Sequence, residues 1–451
     1  MRRRLLRHTL AGGITPEDAF VVLAADPSTG SGTGGDVFWL DSGRHGVHVL
    51  GSGTRILPER GAVIETLKSE LDREPIELYR AYPGFDGFRL GVVGWVGYEV
   101  REETTGVPVT RRSRHPESAF LRVDRALAID VENGTADLLA LGDDWTGELA
   151  AWRDDLVARL QSPPPRPPRP SSEATVRWRD DEPTYLANVR ACLDAIREGE
   201  TYQICLTTTA EVDGTFDDVA SYLALRTASS SHHGGFLRIA GTSLLSASPE
   251  RFLEVDAEGL VRTRPIKGTR PRASIHIADE ELANELWESE KERAENVMIV
   301  DLMRNDLSRV CELGSVAVTS LLAVESYPAV HQLVSEVEGR LKPGLTAVDA
   351  LAACFPAGSM TGAPKIRATQ ILDRLESGPR GIYAGTFGFF GYDGQADLAM
   401  VIRTIVMDAD GASIGAGGGI TTLSDPDEEY AEMRLKARAP LAALGLRLSA
   451  G

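Results

Sequence analysis

The chain has 451 residues, 42% hydrophobic and 25% charged, a composition typical of a globular protein with room for two or three domains. Its formal charge of −18 excludes a general nucleic-acid or membrane-surface binder and requires any site for an anion to be focal. Four cysteines, Cys192, Cys205, Cys311 and Cys354, lie far apart with no CxxC spacing, which excludes a disulfide framework and a cysteine zinc site.

At the N-terminus Arg2, Arg3, Arg4 and Arg7 are not followed by the apolar core of a signal peptide, and no stretch reaches the roughly 18 apolar residues of a membrane span. A soluble, cytoplasmic protein is expected. Residues 20 to 25, 36 to 50 and 88 to 98 read as short buried strands, with helical patterning from Ala62 to Arg73. The glycine-rich segment Gly30 to Asp36 lacks the Lys-Ser/Thr ending of a phosphate loop and reads as a turn. Leu40-Asp41-Ser42 and Gly94 to Glu99 read as a capped strand end and a packing segment. A hairpin across Asn133-Gly134 and a helix from Thr146 to Leu160 complete residues 1–161, and the proline-rich stretch 162–173 forces an extended path.

In residues 174–449 a helix is expected from Asp181 to about Glu198, a strand from Tyr202 to Thr209, a helix from Asp217 to Ser229 and two strands from Gly235 to Ser248. Glu250 follows Ser248-Pro249, a place for a solvated strand start or an ion pair. Lys267 stands in Arg264-Pro-Ile-Lys-Gly-Thr-Arg270, between a proline that fixes φ and a glycine that frees it. Such a turn either ends a cationic strand or aims one amine into a cleft. About one free lysine in ~2,000 is neutral at pH 7, so a nucleophile needs burial or a neighbouring cation, for which Arg264, Arg270 and Arg272 are candidates.

One long helix is expected over Glu280 to Val300, opened by Asp279 and carrying Glu292 and Glu295 on one face. Glu429 and Glu432 repeat that spacing in a helix capped by Asp425 and begun by Pro426. Each pair alone reads as solvated surface; facing each other, the four carboxylates form a Mg²⁺ site. Asp301 to Asp306 reads as a polar knot. Thr361 precedes a helix from about Pro364 to Glu376, whose start offers an anion free N–H groups. Gly415 to Gly419 is a tight turn or a carboxylate cradle, and Arg403 on an apolar strand calls for a bidentate anion.

Together, Ser248-Pro249-Glu250, Pro265 to Thr269, Glu292/Glu295 before Asp301 to Asp306, Gly362 to Lys365, Arg403-Thr404, Gly415 to Gly419 and Glu429/Glu432 resemble the chorismate-utilising enzymes across residues 174–449. Lysine at 267 is similar to the aminodeoxychorismate branch, where the anthranilate branch usually has alanine; residues 38–42 and 202–207 also look like that branch. The resemblance implies an α+β fold of two large, mainly antiparallel sheets packed as a sandwich with helices outside. It further implies chorismate as substrate, Mg²⁺ on Glu295 and Glu432 with Glu292 and Glu429 beside them, and ammonia from a separate glutamine amidotransferase subunit. Arg403 and the amides of Gly417 and Gly418 then hold a carboxylate, Thr361 and Lys436 line the pocket, and Tyr383 borders the enolpyruvyl group. Lys267 acts as nucleophile and Glu250 as general acid. Gln332, next to His331, stands where many members have His and cannot shuttle a proton. Leu40, Asp41 and Ser42 match part of the family's tryptophan pocket. Other roles compatible with the resemblance are an anthranilate-type enzyme and a non-catalytic tryptophan-binding subunit.

Overall fold

Long strands with buried residues on both faces require cover on both sides, and the chain meets this by stacking two sheets and laying helices over their outer faces. The computed structural model describes residues 4–10, 12–25, 35–43, 46–73, 87–229, 231–327 and 330–446. Most of the glycine-rich turn expected over Gly30 to Asp36 lies outside them. No described helix is long and apolar enough to cross a membrane.

Among the described residues the first sheet has 12 strands and the second 10. Pairing between the described strands is antiparallel throughout, as the resemblance implies. Both sheets take strands from each side of the proline-rich stretch. In the first, Val37–Asp41 pairs with His233–Ile239, Gly234 opposite Asp41. In the second, Gly91–Val96 pairs with Thr386–Gly391. The division at residues 162–173 is therefore one of chain, not of sheets. Phe38, Trp95, Leu121, Leu237, Phe387 and Val401 form the core between the sheets.

Several elements follow the sequence closely. The hairpin Arg125–Asp130/Thr135–Gly142 turns at Gly134, at φ +62°. Asp181, Asp217 and Asp425 cap their helices through side-chain oxygens.

Others differ. Residues 20 to 25, expected as strand, belong largely to the helix Pro16–Ala24, capped by Thr15 and started by Pro16; buried on nearly every side, it shows no amphipathic stripe. The long helix expected from Glu280 is two, His276–Glu288 and Glu290–Val310, broken at Ser289, whose hydroxyl caps the second. Asp301 to Asp306 lies inside that second helix. There Asp306 is buried against Lys365 at 2.6 Å, while Asp301, Arg304 and Asn305 face solvent. Arg4–Leu10, read only as a cationic terminus, is a strand paired with Thr135–Gly142.

Candidate active site

Lys267 lies on Ile266–Pro271, at the end of the second sheet, where the register slips between Ile266 and Thr269. The slip releases Lys267 and Gly268 from the regular ladder. Gly268 sits at φ +83°, and a Cβ there would come within 2.7 Å of Leu286 and 3.0 Å of Glu292, so only glycine fits against the Glu292 helix.

The lysine side chain is nearly enclosed, and its Nζ is 3.8 Å from Glu295 Oε2. Burial disfavours its charge, but Glu295, Cys205, Glu250 and Glu292 outweigh burial and hold its pKa above the ordinary lysine value. The arginines expected to lower it are engaged elsewhere. Arg264 pairs with Glu325, Arg272 with Asp279 at 2.7 Å, and Arg270 with Glu285 at 2.9 Å, its guanidinium also 3.9 Å from Glu292.

Glu250 is buried beside Lys267 with a hydrogen bond from Ser359, a residue that no sequence motif singled out. Burial pushes its pKa to about 7, the lysine charge and Ser359 acting against that rise. At neutral pH this carboxyl is about half protonated and can donate or accept a proton.

The four glutamates come from two helices that approach the strand Gly411–Ile420. Glu295 Oε2 lies 3.2 Å from where a Cβ on Gly419 would stand, and Glu429 Oε2 lies 2.8 Å from the same point on Gly418. Burial raises the pKa of Glu295 to about 7, with Glu292 and Glu429 adding to it and Lys267 and Lys291 opposing. The acids are thus close enough to repel. Each also has a cation: Lys291 on Glu429 at 2.8 Å, Lys436 on Glu432 at 2.6 Å, Lys267 on Glu295, and Arg270 near Glu292. Among the described residues no three His, Cys, Asp or Glu side chains converge tightly enough to hold an ion as they stand. In donor chemistry the cluster still fits Mg²⁺: two buried carboxylates, Glu295 and Glu429, with the half-buried Glu292 and the exposed Glu432 beside them, whose mutual repulsion a divalent cation would relieve.

Arg403 adopts φ +52°, a left-handed conformation uncommon outside glycine and found where a site imposes it. Burial lowers its pKa against the pull of Tyr383 and Glu432, and no carboxylate among the described residues pairs with it. Tyr383 is buried with its ring over Gly415, where a Cβ would lie 2.1 Å from the ring. Lys436 donates to Gly417 O at 2.8 Å, tying its helix to the glycine strand. Thr361 is fully buried and donates to Ala357 O at 3.0 Å, so its hydroxyl serves the turn first. Lys365 is likewise committed to Asp306 and to Cys354 O. Gln203, which the sequence placed only in a strand, is fully buried with both amide atoms unpartnered, its Nε2 2.3 Å from the Cβ point on Gly419. Gln332 is buried opposite Thr269. His331 turns instead to Asp279 at 3.0 Å and Ser326 at 2.8 Å.

Leu40, Asp41 and Ser42 belong to another place, a cavity of about 490 Å³ that Phe389, Arg251 and Asp397 also line. There Asp41 accepts from Tyr222 at 2.8 Å, Arg226 at 2.6 Å and Gly43 N at 2.8 Å.

Residues 37–442 match the family model described as chorismate binding enzyme. The chain is 46% identical over 367 residues to the aminodeoxychorismate synthase of Streptomyces pristinaespiralis, covering 79% of this chain and 51% of that protein. It is 39% identical over 374 residues to anthranilate synthase component 1 of Thermus thermophilus, covering 82% of this chain and 80% of that one. The chain thus spans about half the length of the first relative and most of the second. Anthranilate synthase component I from Streptococcus pneumoniae superposes with a TM-score of 0.75 at 27% identity, covering 97% of this chain and 92% of that one.

Proposed function

The chain belongs to the chorismate-binding enzymes, and from that premise we propose that it is an aminodeoxychorismate synthase component I, converting chorismate and ammonia to 4-amino-4-deoxychorismate and water. The observation that carries this reading is Lys267, enclosed on its bulge between Glu250 and Glu295. An amine so held gains proximity that a free one lacks.

In this mechanism the deprotonated Lys267 amine attacks C2 of the ring, both ring double bonds shift, and the C4 hydroxyl leaves as water with a proton from Glu250. Ammonia attacks C4, both double bonds shift back, the C2–N bond breaks to release the neutral lysine amine, and a proton of the added ammonia returns to Glu250. Ser359 holds the Glu250 carboxyl. Arg403, the amides of Gly417 and Gly418, and Lys436 hold the substrate's carboxylates, with Thr361 and Tyr383 lining the pocket. Glu292, Glu295, Glu429 and Glu432 are the residues that would hold Mg²⁺, which when bound offsets the charge of a substrate carboxylate. Ammonia comes from a glutamine amidotransferase, and free ammonium salts replace it in vitro.

Incubation with chorismate, Mg²⁺ and an ammonium salt tests the proposal. The expected product is one that a separate lyase converts to 4-aminobenzoate. Direct release of 2-aminobenzoate would replace this reading with an anthranilate-type activity, and absence of turnover would leave a ligand-binding subunit.

A further inference from the structure

The helix Glu290–Val310 carries Glu292 and Glu295, and its two halves are held in different ways. In the second half Ile299, Val300, Met303, Leu307 and Val310 enter one apolar cluster with Val337 and Leu341. From Glu290 to Met298 only Glu295 and Asn296 are buried. Apolar contact is non-directional, so it resists separation of the helix from the sheet but not a small slide or turn along it. The half that bears the acids takes its exact position from something else.

Asn296 supplies it. The side chain is fully buried; its Nδ2 donates to Leu333 O at 3.2 Å and its Oδ1 accepts from Ser335 Oγ at 2.5 Å. Ser335 is also fully buried, and its hydroxyl oxygen accepts from Leu322 N at 2.9 Å, so its single proton goes to Asn296. The Asn296 amide therefore has one orientation, because turned over it would set its oxygen against Leu333 O. A buried network in which each of these groups is paired specifies one arrangement.

The same stretch of the strand Val330–Arg340 holds the strand of Lys267. Ser335 N donates to Pro265 O at 3.1 Å, and Val334, between the two residues that Asn296 bonds, pairs with Ile266. Beyond Ile266 the register slips, and the next pair is Thr269 with Gln332. Leu333 to Ser335 is thus tied on one side to the acid helix and on the other to the last regular residue before Lys267. The 3.8 Å between Lys267 Nζ and Glu295 Oε2 is set across this tie.

We propose that Asn296 is a positioning residue for the covalent step: through Leu333 and Ser335 it sets the Glu295 helix against the Lys267 strand, so that amine, acids and ring meet at reacting distance. The inference rests on the Lys267 reading above. Rapid-mixing intact-mass measurement with chorismate, Mg²⁺ and no ammonia follows the adduct in the wild type, Asn296→Leu and Ser335→Ala, while melting curves of the metal-free proteins measure the structural loss separately. A displacement of about 1 Å at the reacting atoms costs about a hundredfold. The expected rate constant for adduct formation is lower by about a hundredfold in Asn296→Leu and about tenfold in Ser335→Ala, with the wild-type end point and half-saturating chorismate retained. A merely structural role would lower the melting temperature and the final amount of adduct and leave the rate constant alone. That result, or a raised half-saturating chorismate at an unchanged maximal rate, overturns the inference and leaves the parent reading standing. Should Asn296→Leu fail to fold, Ser335→Ala, which deletes a single oxygen, decides the matter. A wild type that forms no adduct overturns the covalent reading and this inference together.

Discussion

The Asp41 cavity and the Lys267 site both bury carboxylates beside cations, yet burial loses in the first and wins in the second. Burial acts to raise the Asp41 pKa, but His48 and Arg226 prevail and hold it below the ordinary carboxylate value. Around Lys267 the acids Glu250 and Glu295 are pushed up to about 7 by burial that their neighbours do not offset, and burial lowers Arg403. Gln203 has no partner at all for its amide. The Asp41 carboxylate has its bonds complete and holds the fold, whereas Gln203 stands unpaired beside acids of raised pKa, a pattern found at functional sites.

The comparison breaks most decisively at Lys267. Lys267→Ala is expected to lower amination by at least about a thousandfold, as removal of a covalent nucleophile does. Intact-mass measurement with chorismate and no ammonia should show an adduct on the wild type that the variant lacks; an adduct on both would move the nucleophile elsewhere.

Glu250→Gln comes next, with a fall of about 10² to 10⁴ typical of a lost general acid. Because the Glu250 pKa is raised to about 7, the group is an acid below that pH and is lost as one above it. The wild-type rate therefore carries a limb that declines as pH rises through about 7, and the variant should lack that limb.

How far the sequence foretold this arrangement depends on the range of the interaction. Caps such as Asp425 on its own helix, the Asn133-Gly134 turn and the two Glu pairs are local patterns, readable from spacing alone. The partners of Arg264 and Arg272 were not, because Glu325 is 61 residues away and the Asp279 that takes Arg272 lies across a turn whose path spacing does not set. The helix Pro16–Ala24 was misread because a segment buried all round has neither a period of two nor one of 3.6. Ser359 and Gln203 carried no signal in isolation. Their role is visible only when the turn Gly358–Met360 meets Glu250 and the strand Gln203–Asp213 meets the glycine strand.

At Asp41 the expected loss is of stability rather than chemistry. Asp41→Asn leaves Arg226 and Tyr222 facing a neutral amide, at about 2 to 4 kcal/mol. Since the folded-state pKa is depressed, the stabilisation is present above the unfolded value near 4 and is lost as pH falls through the lowered one. Denaturation curves of the two proteins should differ at pH 7 and draw together at strongly acidic pH, with the chorismate KM unaltered. A raised KM with unchanged stability would make Asp41 a reaction-site residue and dissolve the contrast.

The finest test lies in two adjacent glycines. A Cβ on Gly417 would stand 2.1 Å from Leu206 O, a backbone atom held in the ladder, so Gly417→Ala disrupts the strand pairing itself. On Gly418 the same Cβ meets only Glu429 Oε2, at 2.8 Å, and Lys436 Nζ at 3.8 Å. Glu429 Oε1 is fixed by Lys291 at 2.8 Å and Ser424 at 2.6 Å, so the carboxylate can yield by turning its free oxygen a few tenths of an ångström. Gly418→Ala should therefore fold normally and raise the Mg²⁺ requirement by about threefold to tenfold, a change of about 1 kcal/mol. In the proposed metal set the displaced oxygen is the one that would reach the ion, whereas the anchored one is held by Lys291 and Ser424 as those of Asp41 are held by Arg226 and Tyr222. A Gly418→Ala enzyme with an unchanged Mg²⁺ requirement would show that Glu429 Oε2 is as idle as it stands, and would remove Glu429 from the metal set.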